Sequence, residues 1–286
     1  MTRNDGRAAF WFLLPYLTLF AVFLVGPLAY GFWISLHDWH VLGKEVPFVG
    51  FDNYAAALGD DLFHIALART AYFVLLTVPA GNALSLLVAV GLNQRYRATT
   101  LFKVCFYVPV VLSIAVTAVL WRWLLSSESG LINHYLGTRV QWLGSPTWAM
   151  PSLALMTLWW GLGGNMLVYL AALRNVPKEQ LETASLDGAS PWRRFWAVTW
   201  PSIGPATLFC LIMSVIASSQ VFGQTFILTN GGPADSTLTV VLYMYRQGFG
   251  MYQLGYASAV AYLLFFLVLA LSAIQIRLMA RTLRSR

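Results

Sequence analysis

The sequence predicts an all-α polytopic membrane protein with six transmembrane helices and both termini cytoplasmic, forming one transmembrane domain over residues 1–286. Three observations predict it. The chain is 58% hydrophobic and only 10% charged, with a mean hydropathy of +0.66, too apolar for a soluble domain. Apolar runs recur at about 10–36, 70–92, 104–121, 148–173, 204–228 and 256–278; about 20 such residues cross a hydrocarbon core. The cations between these runs alternate: 13 (Arg3, Arg7, Arg95, Arg97, Lys103, Arg174, Lys178, Arg193, Arg194, Arg277, Arg281, Arg284 and Arg286) fall on one side. Five (Lys44, Arg69, Arg122, Arg139 and Arg246) fall on the other. Short loops rich in Lys and Arg stay in the cytoplasm. The net charge of +7 is then an insertion signal, and no nucleic-acid partner is expected.

Taken in order, Phe10 to Leu36 carries no charge and is too long for the core of a signal peptide. Residues 37–69 are acidic and turn-rich. His37 and His40 lie there three apart, and without a thiolate cluster they read as a solvated loop and not a metal site. Pro79 and Pro109 fall inside the second and third runs and are expected to kink them. Cys105 and Cys210 each sit within an apolar run near its cytoplasmic end and read as reduced packing residues. Tryptophans sit where membrane interfaces attract them. Trp11, Trp192, Trp196 and Trp200 lie at the inner boundary. Trp33, Trp39, Trp121, Trp123, Trp142 and Trp148 lie at or beyond the outer one. Only Trp159 and Trp160 fall near the middle.

The most informative stretch is the polar loop 174–203. Lys178 to Leu186 suits a short helix, with Pro177 in its first turn. Gly188 fits the left-handed residue that ends it. Ser190-Pro191 restarts a helix, Ser as N-cap and Pro at the first position. Trp192, Phe195 and Trp196 then give one aromatic face. Glu182-x-Ala184, three residues, Gly188, nine residues, Val198-x-Trp200-Pro201 resembles the EAA loop of ABC importer permeases. Thr183 replaces the usual Ala and Trp200 the usual Leu. Phe48 to Tyr54, Leu173 to Lys178, Asp187 to Ser190 and Thr229 to Pro233 resemble the sugar and glycerol-phosphate permeases in particular, over nearly the whole chain.

The resemblance implies a permease subunit in the cell (inner) membrane, carrying a carbohydrate or related polyol. It implies a second homologous permease, an ABC ATPase dimer on the cytoplasmic side and an extracytoplasmic solute-binding protein. Glu182, Thr183, Ala184, Asp187, Gly188 and Pro201 would couple to the ATPase, with Glu182 meeting a basic residue there. A permease for another solute, or a secondary transporter, is the alternative. The residues bear on this choice. Every carboxylate lies outside the six runs, whereas ion-coupled carriers commonly place one inside. No G-x-x-x-x-G-K-[ST] phosphate loop occurs, so ATP and Mg²⁺ belong on partner subunits and no cofactor is expected here. No nucleophile–base pair is visible, so the chain reads as no enzyme.

The family places its solute near the bilayer midplane. Trp160 lies ~20 Å from the inner end of the fourth run, at 1.5 Å per residue. Thr157, Trp160, Gly161 and Gly164 share one helical face by spacing. Ser214 and Ser218 lie four apart at similar depth in the fifth run. These six are the candidate substrate pathway, although the same small residues also suit helix packing. Gln220 and Gln224 would line its mouth. The asparagines usual in the family are not evident at these positions. Leu238 to Tyr245, too short to span, suits an interfacial or a re-entrant helix.

Overall fold

The computed structural model describes residues 3–94 and 99–284, with side chains described for 10–94 and 99–278. Arg95, Arg97 and Arg286, counted above for orientation, lie outside the described residues. The chain divides into two compact units, Met1–Phe63 with Tyr243–Phe266, and His64–Leu242 with Leu267–Arg286. Among the described residues all regular structure is helical, apart from isolated bridges His37–Phe48 and His40–Gln253.

In unit one, α1 (Arg3–Phe20), a π-helical turn (Ala21–Val25) and α2 (Gly26–Ser35) form the first apolar span. No residue of its most apolar stretch is buried, as befits a helix solvated by lipid. The loop that follows is largely exposed, His40 included, but at His37 it folds onto the protein. His37 is buried; its Nδ1 lies 2.7 Å from the Trp33 carbonyl, and its ring packs 4.0 Å from that indole. Asn53, in α3 (Asp52–Leu58), donates to the carbonyls of Ser35 and His37, both at 2.9 Å. These bonds satisfy carbonyls freed where α2 ends. Gly255 approaches the same loop so closely that a Cβ there would sit 2.0 Å from the His37 carbonyl oxygen.

The second span starts earlier than hydropathy suggested: α4 runs Asp61–Leu92, uninterrupted by Pro79. Its start is fixed by Asp60, whose Oδ1 accepts from the Leu62 N–H at 2.8 Å, an N-cap bond that satisfies a helix-end donor. Asp60 Oδ2 accepts from the Tyr256 hydroxyl at 2.8 Å and from the Tyr243 hydroxyl. The cap therefore ties α4 to α14 (Val240–Tyr245) and α15 (Leu254–Arg284).

Unit two holds the third, fourth and fifth spans, and the sixth, in α15, is shared between the units. The third is broken: α5 (Thr99–Val111) and α6 (Ile114–Leu124) meet at 101°. Thus among the described residues five helices are long and apolar enough to cross a membrane, or six if this bent pair is one span. Ser113 caps α6 by accepting from the Val116 N–H. Then come α7 (Leu131–Leu136), α8 (Ala149–Arg174), α9 (Lys178–Leu186) and α10 (Pro191–Arg194). A π-helical turn (Phe195–Thr199), α11 (Trp200–Ser202), α12 (Gly204–Ser219) and α13 (Gly223–Leu228) follow.

Two apolar clusters organise this unit. One gathers Phe73, Trp121, Leu153, Met156, Val221 and Leu228; Trp121 and Trp142, expected at an interface, pack in it or against it. The other gathers Ala89, Met166, Tyr169, Leu173, Ile203 and Cys210. Cys210 is thus a core residue, while Cys105 is exposed. Leu238, Val240 and Leu242 are fully buried, and the Val240 N–H donates to Thr70 Oγ1 at 3.0 Å. This segment therefore packs into protein.

Burial alone would raise the Asp60 carboxyl pKa. Hydrogen bonds from Tyr243, Tyr256 and the N–H groups of Leu62 and Phe63 outweigh it and hold the group below the usual carboxylate value. A depressed folded pKa stabilises above the unfolded value, about 3.9, and the gain is lost as pH falls through the folded one. Tyr256→Phe should cost about 2 kcal/mol near pH 7. In thermal unfolding of the purified protein, its deficit should be constant from about pH 5 upwards and shrink below about pH 4. A deficit that widens in acid would contradict this.

Candidate functional site

Two places carry the candidate residues, both within unit two. The first is the loop. The structure forms α9 over Lys178–Leu186, with Pro177 as its N-cap rather than inside its first turn. Gly188 adopts φ +74°, and the Ala189 N–H returns to the Ala184 carbonyl at 3.0 Å. This is the glycine-dependent closure that ends many helices. Ser190 accepts from the Arg193 N–H and Pro191 takes the first position of α10. The aromatic face forms too: Trp192 to Trp196 and Trp196 to Trp200 both measure 5.5 Å between ring centroids.

Glu182, Thr183, Asp187 and Gly188 are exposed, and Ala184 and Pro201 half-buried. The Thr183 hydroxyl donates back to the Glu179 carbonyl at 2.8 Å. The loop's other side is anchored: Leu181, Val198 and Trp200 pack against the apolar cluster around Tyr169 and Ile203. Trp200, the departure from the usual Leu, therefore serves as a packing residue.

The second place is a cavity of about 290 Å³ walled by α4, α8 and α12. Of the six pathway candidates, Thr157, Gly161, Ser214 and Ser218 line it, and Trp160 and Gly164 do not. The Trp160 indole N–H turns to the Leu112 carbonyl at 3.1 Å. That carbonyl is freed by the break between α5 and α6, and a helix-end acceptor inside an apolar region needs a donor. Gln224, expected at the mouth, is buried, with Nε2 3.5 Å from Thr157 Oγ1; Gln220 is exposed.

Sequence reasoning passed over two asparagines here. Asn165 lines the cavity and donates to Ser214 Oγ at 3.0 Å. Asn82 donates to the same oxygen at 3.2 Å and to the Val78 carbonyl at 2.8 Å, while its Oδ1 accepts from the Tyr169 hydroxyl at 3.1 Å. Asn165 stands four residues beyond Gly161, so the spacing that grouped the other candidates would have found it. The Thr77 and Ser218 hydroxyls are hydrogen-bonded at 3.0 Å, completing a polar band across three helices. Among the described residues no group of His, Cys, Asp and Glu is arranged to hold a metal ion.

Long apolar helices, an exposed helical hairpin and a polar cavity between spans define a polytopic membrane transport subunit. Residues 81–284 match the binding-protein-dependent transport system inner membrane components, and the chain belongs to this family, whose members are transport components rather than enzymes. It is 33% identical over 276 residues to the probable ABC transporter permease protein YesP of Bacillus subtilis, covering 93% of this chain and 88% of that one. It is 31% identical over 281 residues to the sn-glycerol-3-phosphate transport system permease protein UgpA of Pectobacterium atrosepticum, covering 94% and 92%. A chain from the crystal structure of a bacterial ABC transporter involved in import of the acidic polysaccharide alginate superposes with a TM-score of 0.84. That match covers 97% of this chain and 96% of the other at 23% identity, which establishes a common fold.

Neighbouring glycines in α8 should behave differently. A Cβ on Gly163 would lie 2.4 Å from the Phe106 carbonyl oxygen and 2.7 Å from Tyr107 Cα, whereas one on Gly161 meets nothing within 4 Å. Gly163→Ala should destabilise the protein by about 1–3 kcal/mol by forcing α8 from α5. Gly161→Ala should leave unfolding unchanged within about 0.5 kcal/mol. Thermal unfolding of both variants checks this; equal stability would contradict the packing described.

Proposed function

We propose that this permease is one of two similar membrane subunits of an importer for carbohydrates or related polyols, residing in the cytoplasmic membrane. The two compact units work as one transmembrane domain. Both termini and residues 174–203 face the cytoplasm, as the Lys and Arg distribution supports. An ABC ATPase dimer binds there, carrying ATP and Mg²⁺, and a solute-binding protein docks outside. The names of the relatives, a glycerol-phosphate permease and an alginate importer, support the solute class.

One observation carries the mechanism: loop and cavity meet at one apolar cluster. The ATPase grips α9 from outside, with Glu182 offering a carboxylate and Leu186, 88% exposed, an apolar contact. Leu181, Val198 and Trp200 hold the inner side of the loop to the cluster that includes Met166, Tyr169 and Cys210. Those residues belong to α8 and α12, two walls of the cavity. A displacement of α9 on ATP binding is thereby passed to the solute pathway through close-packed side chains, which transmit strain rather than absorb it. Thr157, Gly161, Ser214 and Ser218 meet the solute; Trp160 and Gly164 frame the pathway from outside its lining.

Orientation is tested by labelling with an impermeant maleimide. Lys44→Cys should react in sealed spheroplasts, and Ser185→Cys only after permeabilisation. Reaction of Ser185→Cys in sealed spheroplasts would overturn the topology.

Coupling is tested in the reconstituted transporter. Glu182→Ala removes one partner of a charge pair, a loss of roughly 2–5 kcal/mol, or about 30-fold or more in ATPase contact. Gly188→Val imposes a side chain on a left-handed residue, and Gly188→Asn, which tolerates that conformation better, should recover part of the loss. Uptake and solute-stimulated ATP hydrolysis should fall together in the first two, while the binding protein still captures its solute. Normal stimulated hydrolysis and uptake in both would reduce the loop to a connector.

A further inference from the structure

We infer that the part of the solute held in the cavity of unit two is uncharged: a hydroxyl-bearing ring, not a phosphate or a carboxylate. This rests on the carbohydrate reading above and narrows it. The relatives do not point this way, since two are named for glycerol phosphate and for an acidic polysaccharide.

The polar lining consists of the hydroxyls of Thr77, Ser85, Thr157, Ser214 and Ser218 and the amide of Asn165, and among the described residues no charged side chain lines it. Most of these groups are already committed. Thr77 gives its one proton to the Phe73 carbonyl at 2.8 Å and so accepts from the Ser218 hydroxyl at 3.0 Å. Ser85 donates to the Leu162 carbonyl at 3.0 Å and Thr157 to the Leu153 carbonyl at 2.8 Å. Ser214 Oγ accepts from the amides of Asn82 and Asn165. Ser214 therefore acts as an acceptor within the protein and keeps its own proton to give, whereas Ser218 gives its proton to Thr77 and keeps its lone pairs. Asn165 spends one N–H on Ser214 and keeps the other N–H and its carbonyl oxygen.

The cavity thus offers two donors, the Ser214 hydroxyl and the second Asn165 N–H, and two acceptors, Ser218 Oγ and the Asn165 carbonyl. A sugar hydroxyl both donates and accepts, so it complements this mixed set. A phosphate or carboxylate only accepts, and would meet the Asn165 oxygen without a compensating cation. Removing an anion from water without a counter-charge is far costlier than removing a hydroxyl that finds hydrogen bonds, and depth between transmembrane helices sharpens the difference.

The test uses the complete importer, with its partner permease, ATPases and binding protein, in proteoliposomes. Labelled probes are supplied in matched pairs: galactobiose with digalacturonate, cellobiose with cellobiuronate, and glycerol with sn-glycerol-3-phosphate. Uptake and stimulated ATP hydrolysis should favour neutral members by at least about 100-fold. Ser214→Ala, and separately Ser218→Ala, should lower uptake of the preferred neutral probe about tenfold, as loss of one hydrogen bond implies, with its retention by the binding protein unchanged. Transport of the charged members at equal or greater rates overturns this inference and leaves the carbohydrate reading standing. Response to neither kind overturns both. A neutral preference that both serine variants leave untouched removes the selectivity from this cavity and overturns the assignment.

Discussion

Polar groups shut between apolar ones must be hydrogen-bonded, and unit two is built around that requirement. Along α4 the order is Phe73 in one apolar cluster, Thr77 to Ser85 in the polar band, then Ala89 in the other cluster. Along α8 the same order runs Leu153, Thr157 to Asn165, Met166; α12 and the residues beyond reverse it, from Cys210 through Ser214 and Ser218 to Val221. The three helices thus bring their polar segments to one level. Each unpaired group there would cost about 1–3 kcal/mol. Ser214 prevents this by accepting from two amides on two different helices, and Tyr169 closes the far side of Asn82. The band fixes the helices laterally, and its surplus hydrogen-bonding capacity faces the cavity.

The apolar cluster on one side of the band gives the loop its mechanical significance. A protruding helix can be gripped only if it is exposed, and can move other helices only if it is packed. The α9–α10 hairpin is both: no residue of α9 is fully buried, yet Leu181, Val198 and Trp200 pack against the cluster from which α8 and α12 rise. The left-handed turn at Gly188 and the Ser190 cap keep the hairpin tight without buried contacts of its own. In unit one the Asp60 carboxylate plays a comparable unifying part, capping one helix while accepting hydroxyls from two others.

Much of this was legible because it depends on local chemistry. Apolar runs report span existence regardless of tertiary partners, and the Pro177, Gly188 and Ser190-Pro191 signals report turns that the backbone makes by itself. A kink of the third run was expected from Pro109, but not its size, a 101° break at Leu112-Ser113, since Val110 to Val119 is almost uniformly apolar and hydropathy registers no direction. The cap at Ser113 was the further clue. The early start of α4 was missed because residues 61–69 include His64 and Arg69 and fall below the hydropathy of a span, although Asp60 is a capping residue. Trp160 was assigned to the pathway by depth and spacing. Its actual partner, the Leu112 carbonyl, exists only because a different helix breaks. Asn82 and Asn165 were overlooked for a related reason: an amide in a span is informative only when its partner is known, and that partner, Ser214, is contributed by another helix.

The central claim is that this polar band borders the solute's path and is not merely helix packing. The most direct measurement is the reactivity of a single cysteine, Ser218→Cys, toward a small water-soluble thiol reagent in the assembled, reconstituted transporter, with and without transported sugar. The account predicts modification from the aqueous phase that slows several-fold when sugar is present and changes rate when the ATPases are trapped in their ATP-bound state. A thiol that stays unreactive in every state, or reacts at one rate regardless of sugar and nucleotide, would contradict it.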